Sequence, residues 1–144
     1  MPIKSFRGKI ADQGIETVPL HTNDGSTGYR IKKFEIMPPN MASTRLECTV
    51  KIFTVPQTTA TADVDFSDQT LLAAAYIENY EEFTGGSSNL VIVFDSITFN
   101  QDIHITNFDG STGEAMNYHI ELEQVSLDLN ENTVATLKDI RNVA

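Results

Sequence analysis

The sequence predicts an all-β domain, a two-sheet antiparallel sandwich. Three observations lead there. Apolar residues recur with period two far more often than with helical spacing, and Gly, Pro and Asn clusters punctuate the alternating runs. Within two of the runs the alternation also slips by one residue, as strands do when a bulge or corner bends them between packed sheets. A length of 144 residues fits one core that buries roughly two-thirds of the unfolded surface. The division expected is a sandwich over 1–130 and a C-terminal arm or short helix over 131–144. The jelly roll is the specific topology that such a strand pattern brings into view.

Taken in order, strands are expected at 3–10, 15–22 (Val18, Leu20), 28–37 (Tyr29, Ile31, then Phe34, Ile36) and 45–55 (Leu46, Cys48, Val50, Ile52). The run DQTLLAAAYIENY divides its preferences, because Ala and Leu favour helix while Tyr and Ile suit a strand; a strand over 70–79 is the reading adopted. Further strands are expected at 90–99, 101–107 (Ile103, Ile105) and 116–129 (Tyr118, Ile120, Leu122, then Val125, Leu127, Leu129). The two slips fall at Lys32-Lys33 and Glu123-Gln124. The tail places Val134, Leu137, Ile140 and Val143 three residues apart, a spacing that suits neither helix nor strand and leaves both a short helix and a docked arm open.

Turns are supplied by Gly14, Pro38-Pro39-Asn40, the Thr/Ala-rich 56–62 stretch, Gly85-Gly86-Ser87-Ser88 and two copies of Asp-Gly-Ser-Thr-Gly, at 24–28 and 109–113. Each pentapeptide is expected to close a hairpin. The parity of the flanking apolar residues then pairs Leu20 with Ile31, Ile105 with Tyr118 and Ile103 with Ile120.

Charge is unevenly distributed. Residues 1–53 hold eight of the ten basic residues against five acids, residues 54–137 hold fourteen acids and no base, and the whole chain carries −10. An acidic balance of this size argues against a nucleic-acid partner, which needs basic groups to displace counterions. Beside its plain effect on solubility, the asymmetry suggests a two-sided molecule with a basic patch facing an acidic partner. No stretch approaches the ~20 apolar residues of a membrane span, and the N-terminus lacks the apolar run of a signal peptide. Cys48, the lone cysteine, alternates with Leu46 and Val50 and is expected to pack as a small apolar residue. Synthesis in a reducing cytoplasm fits this usage.

Catalytic and cofactor signatures are weak, and neither an enzyme nor a cofactor is expected. The hairpin register would set His104 opposite His119 and Asp102 opposite Glu121, a set capable of holding Zn²⁺. A hairpin without a pocket favours the plain reading, a solvent-exposed cross-strand pair, so no metal is expected. No Gly-x-Ser-x-Gly or phosphate loop occurs. Ca²⁺ at Asp24 or Asp109 would have a single carboxylate in each loop, fewer oxygens than calcium takes. A carbohydrate-binding module is disfavoured by the absence of Trp.

The segments TGYRIKKFEIMP, FSDQTLLAAAY, FNQDIHIT and NYHIELEQVSLDLNENTVATLKDIRN resemble a family of small virion proteins from tailed phages of marine bacteria, from about residue 5 to the end. The resemblance implies a structural component of the particle without catalytic residues. With the size and acidity of the chain, the leading expectation is a decoration or cement protein on the outside of the head. Such a protein would contact the major capsid protein and be a homo-oligomer, with a trimer favoured. A tail, neck or fibre adaptor is the second expectation. Contact is expected through Ile3, Lys4, Phe6, Arg7 and Lys9 at the N-terminus and Val134, Leu137, Ile140 and Val143 at the C-terminus, where apolar and basic groups coincide.

Overall fold

Eight strands form, and they account for all the helix and strand structure among the described residues: β1 (Ile3–Ile10), β2 (Gly14–Val18), β3 (Thr27–Met37), β4 (Arg45–Phe53), β5 (Leu71–Tyr80), β6 (Ser88–Phe94), β7 (Ile103–Asp109) and β8 (Met116–Ser126). The computed structural model describes residues 2–20, 25–40, 45–80 and 88–127. The tail expected as helix or arm, 131–144, lies outside them. The strands make a three-stranded sheet, β1-β8-β3, packed on a five-stranded sheet, β2-β7-β4-β5-β6, and every pairing is antiparallel.

This order is that of a jelly roll with one strand moved. A jelly roll winds a long antiparallel ribbon so that its first strand pairs with the eighth, second with seventh, third with sixth and fourth with fifth. Here β1 pairs β8, β2 pairs β7 and β4 pairs β5, but β6 bonds to β5 and approaches β3 without a ladder. The free side of β3 is bridged instead by Phe99, which exchanges two backbone hydrogen bonds with Tyr29 (2.7 and 2.9 Å).

Alternation directs one row of each strand inward. Ile31 and Phe34 of β3, Ile120 and Leu122 of β8, Ile52 of β4, and Ile103 and Ile105 of β7 are fully buried between the sheets, joined by Ile10, Met116 and Phe99. Cys48 packs among them. The run Leu71–Ala75 is strand and is buried throughout: Leu72, Ala73 and Ala75 belong to the core cluster, and Ala74 pairs with the buried Lys51 of β4.

The slip at Lys32-Lys33 is a bulge: the β3–β8 register shifts between Ile31 and Lys33, which returns Phe34 and Ile36 to the core. The slip at Glu123-Gln124 is not. The β3–β8 ladder runs through Glu123 and Gln124 without a shift, so Val125 pairs with Gly28 on the opposite face. That face is covered locally, because a Cβ on Gly28 would meet Thr98 Cγ2 at 3.0 Å and Leu127 Cδ1 at 3.1 Å.

Neither Asp-Gly-Ser-Thr-Gly copy closes a hairpin. Each joins a strand of the five-stranded sheet to one of the three-stranded sheet, β2 to β3 and β7 to β8. Ile105 therefore pairs with Glu16 and Ile52, Ile103 with Val18, Tyr118 with Gly8 and Ile36, Ile120 with Phe6 and Phe34, and Ile31 with Leu122. Parity does not distinguish the two arrangements. Apolar rows that face each other across two sheets satisfy the same condition as apolar rows side by side on one sheet. The strand expected over 90–99 ends at Phe94, and that over 15–22 ends at Val18, where Pro19 brings no amide hydrogen to a ladder.

Candidate interaction surfaces

The fold converts the charge asymmetry of the chain into two different faces. β1 and β3, which carry most of the early basic residues, flank β8 in the three-stranded sheet. On its outer face the register aligns Arg7, His119 and Glu35 in one row, Ser5, Glu121 and Lys33 in the next, and Ile3, Glu123 and Arg30 in a third. Lys9 and the exposed Lys32 of the bulge add to it, giving five basic groups against three carboxylates. Arg30 Nη2 reaches Glu123 Oε1 at 2.9 Å and Lys33 Nζ reaches Glu35 Oε1 at 3.0 Å, and the Glu35 partner raises the Lys33 pKa. The exposed Lys33–Glu35 pair contributes little stability.

An open groove of about 540 Å³ crosses the same face, with Arg7, Glu35, Met37 and His119 among its walls. Gly8 sits in its floor under the Tyr118 ring, where a Cβ would fall 2.8 Å from the hydroxyl oxygen. That hydroxyl crosses between the sheets to donate to Glu16 Oε1 (3.1 Å), and burial, reinforced by Glu16, pushes its pKa up to about 12.

The outer face of the five-stranded sheet is different. Its polar row, Thr49, Lys51, His104 and Thr106, is buried. The segment between β4 and β5 runs back over it, and Lys51 Nζ donates to Thr61 Oγ1 (3.0 Å) and the Asp63 carbonyl (2.6 Å) beside the Phe53 ring. Burial lowers the Lys51 pKa against the opposing pull of Asp63 and Asp68. Asp63, Asp65 and Asp68 line the same depression as Lys51, so the covering segment is acidic where the other sheet is basic.

The sequence-predicted residues separate in space. Ile3, Arg7 and Lys9 lie on the outer face of the three-stranded sheet, while Phe6 packs against the core and Lys4, on the same side, places Nζ 5.8 Å from the centre of the Tyr29 ring. Val134, Leu137, Ile140 and Val143 lie outside the described residues. His104 and His119 do not meet. His104 is buried in the five-stranded sheet with Nδ1 3.0 Å from Thr17 Oγ1, its pKa lowered by that burial, whereas His119 is on the other sheet between Arg7 and Glu35. Asp102 accepts the Leu20 amide at 2.8 Å. Among the described residues no three His, Cys, Asp or Glu side chains gather as a metal site.

Asp109, the calcium candidate of the second loop, is spent on backbone amides of its own turn and of β4. Oδ1 accepts the Glu47 and Ser111 amides (both 3.0 Å) and Oδ2 the Glu114 amide (2.6 Å). Burial alone would push its carboxyl up, but these bonds together hold it below the usual range. Asp24 lies outside the described residues.

The surface that alternation did not single out is β6. Leu90, Val91, Val93 and Phe94 are exposed on both faces of a strand at the rim of its sheet. The signal was present in the unbroken apolar run Leu90–Phe94, which reads equally as a strand buried on both faces. Compared with known proteins, the sequence matches no family model and no curated protein, so its function has to be read from these surfaces.

Proposed function

We propose that this chain is a non-enzymatic structural protein of a phage particle, decorating the outside of the head. Its basic three-stranded sheet faces the major capsid protein, and its acidic side is turned to solvent. The observation that carries this reading is the sorting of charge between the two sheets, with Arg7, Lys9, Arg30, Lys32 and Lys33 on one outer face and Asp63, Asp65 and Asp68 over the other. A molecule polarised in this way adopts one orientation on an acidic surface, and its net −10 opposes residence against packaged DNA. The resemblance of its sequence strings to small virion proteins supplies the setting.

Imaging of intact particles tests it. Density for this chain in many copies over the head is the expected result; density at the tail alone, or none on the head, overturns it. Copy number by gel densitometry gives a second readout, because shell decoration repeats with the symmetry of the head whereas tail parts occur in small rings. An Arg7→Glu, Lys9→Glu variant should stay folded and lose most of its occupancy on particles.

A further inference from the structure

We propose that β6 is the seam of a two-fold homodimer, in which the five-stranded sheets of two copies join edge to edge into one continuous sheet of twice the width. This pairing is independent of which surface the basic sheet meets.

β6 keeps a single register against β5 from Ala73–Phe94 to Asn79–Ser88, and the Asp95 amide donates to Leu72 O at 3.0 Å in continuation of it. In an antiparallel ladder the bonded residues alternate, so Val93 and Val91 also bond toward β5. Leu90, Ile92 and Phe94 then direct their N–H and C=O groups to the open side, where among the described residues no strand pairs with them. Three donors and three acceptors stand in a row there, the arrangement that recruits another strand.

The other sheet edges carry the usual protections. β1 bears Lys4, Arg7 and Lys9, β2 is five residues long and followed by Pro19, and β3 is bridged by Phe99. β6 has none. Leu90 (51% exposed), Val91 (55%), Val93 (42%) and Phe94 (37%) leave it apolar on both faces, and Phe66 (70%) borders the same depression as Val93 and Phe94.

Charge and symmetry select a second copy as the occupant. Two chains of −10 repel on balance, and Ser88–Phe94 holds no charged residue to add to that repulsion. The run Leu-Val-Ile-Val-Phe is apolar throughout, with a valine on each side of Ile92, so a two-fold axis there sets Ile92 against Ile92, Leu90 against Phe94 and Val91 against Val93. All three outward-facing residues fall into hydrogen-bonded pairs, and Asp95 falls opposite Asn89, so no carboxylate opposes another. The apolar patch is on the order of a few hundred Å² per copy. Such an interface is small, and its dissociation constant should be on the order of micromolar or weaker.

Sedimentation velocity of the full chain from a few to several hundred micromolar should show a monomer passing to a dimer, and Val91→Lys should remain monomeric with an unchanged melting curve. A wild-type monomer throughout, a trimer, or an undiminished dimer in Val91→Lys each overturns the proposal. Amide exchange on the wild-type chain tests it without a substitution. Leu90, Ile92 and Phe94 should gain protection as concentration rises, while Val91 and Val93 are protected throughout; protection that does not follow this parity also overturns it.

Discussion

Asn107 shows how a single amide fastens the sheets. It is fully buried, and its Nδ2 donates toward the carbonyls of Ile10, Ala11 and Glu114 at 3.2–3.3 Å, tying together the end of β1, the turn into β2 and the approach to β8. Asn107→Ala leaves those carbonyls without their donor and should cost about 1–3 kcal/mol in urea unfolding. Asn107→Asp sets a carboxylate against the same oxygens and should cost more, increasingly so as pH rises from 4 to 7, because the folded state holds the proton that the unfolded state gives up. Asp109 has the opposite sign. Its folded carboxyl is depressed, so its stabilisation is complete above the ordinary carboxylate range and is lost as pH falls through the folded value. The stability gap between wild type and Asp109→Asn should therefore close as melts are taken from pH 7 toward pH 2. The Cys48 thiol, pushed up to about 12 by burial with Asp109, Asp12 and Glu114 adding to it, should not react with iodoacetamide until the protein unfolds. Its place in the core was legible from alternation, but the work of Asn107 was not, since a buried polar side chain reads as an outward one until its partners are known. The two Asp-Gly-Ser-Thr-Gly copies make the same point, because positive φ falls on Gly25 in the first and on Gly113 in the second.

Among the elements, β3 and β8 carry the design. β8 lies between β1 and β3, and its inward Ile120 sits between Phe6 and Phe34. Ile120 is fully buried, so Ile120→Ala should destabilise by about 2–5 kcal/mol. The bulge at Lys32 makes a sharper test. With the extra residue, Tyr29 and Ile31 on one side and Phe34 and Ile36 on the other all reach the core. Deleting Lys32 turns one pair outward, whereas Lys32→Ala keeps the backbone; the deletion should abolish cooperative melting and the substitution should change it by less than about 0.5 kcal/mol. This bulge was legible because a slip in the alternation is a statement about one strand. Which strands are neighbours is a statement about two, and alternation left that open. Ile105 and Tyr118 have the parity of hairpin partners and lie instead in opposing sheets.

Over the whole molecule, the imbalance of charge along the chain becomes an imbalance across the sandwich. That much was foreshadowed by composition, since the early basic residues alternate within strands and so collect on faces. The exposed edge was not, because an apolar run gives no sign of whether a neighbour covers it. Attachment by the basic face makes a prediction about salt, as exposed charges separated by more than about 10 Å are largely screened at 0.1 M. The decorated particle should lose this protein as ionic strength rises. Attachment by the C-terminal segment makes a different one. Among the described residues, the buried apolar cluster between the two sheets is drawn from positions between Ile10 and Leu122. A chain ending at residue 130 should fold and melt cooperatively with nearly the wild-type midpoint. Val134, Leu137, Ile140 and Val143 would contribute apolar contact to the shell, at about 25 cal/mol per Å² before the costs of association, so the shortened chain should bind particles weakly at any salt concentration. If it joins particles at full occupancy and is still released by salt, the basic sheet alone makes the contact and the C-terminal segment has no part in it.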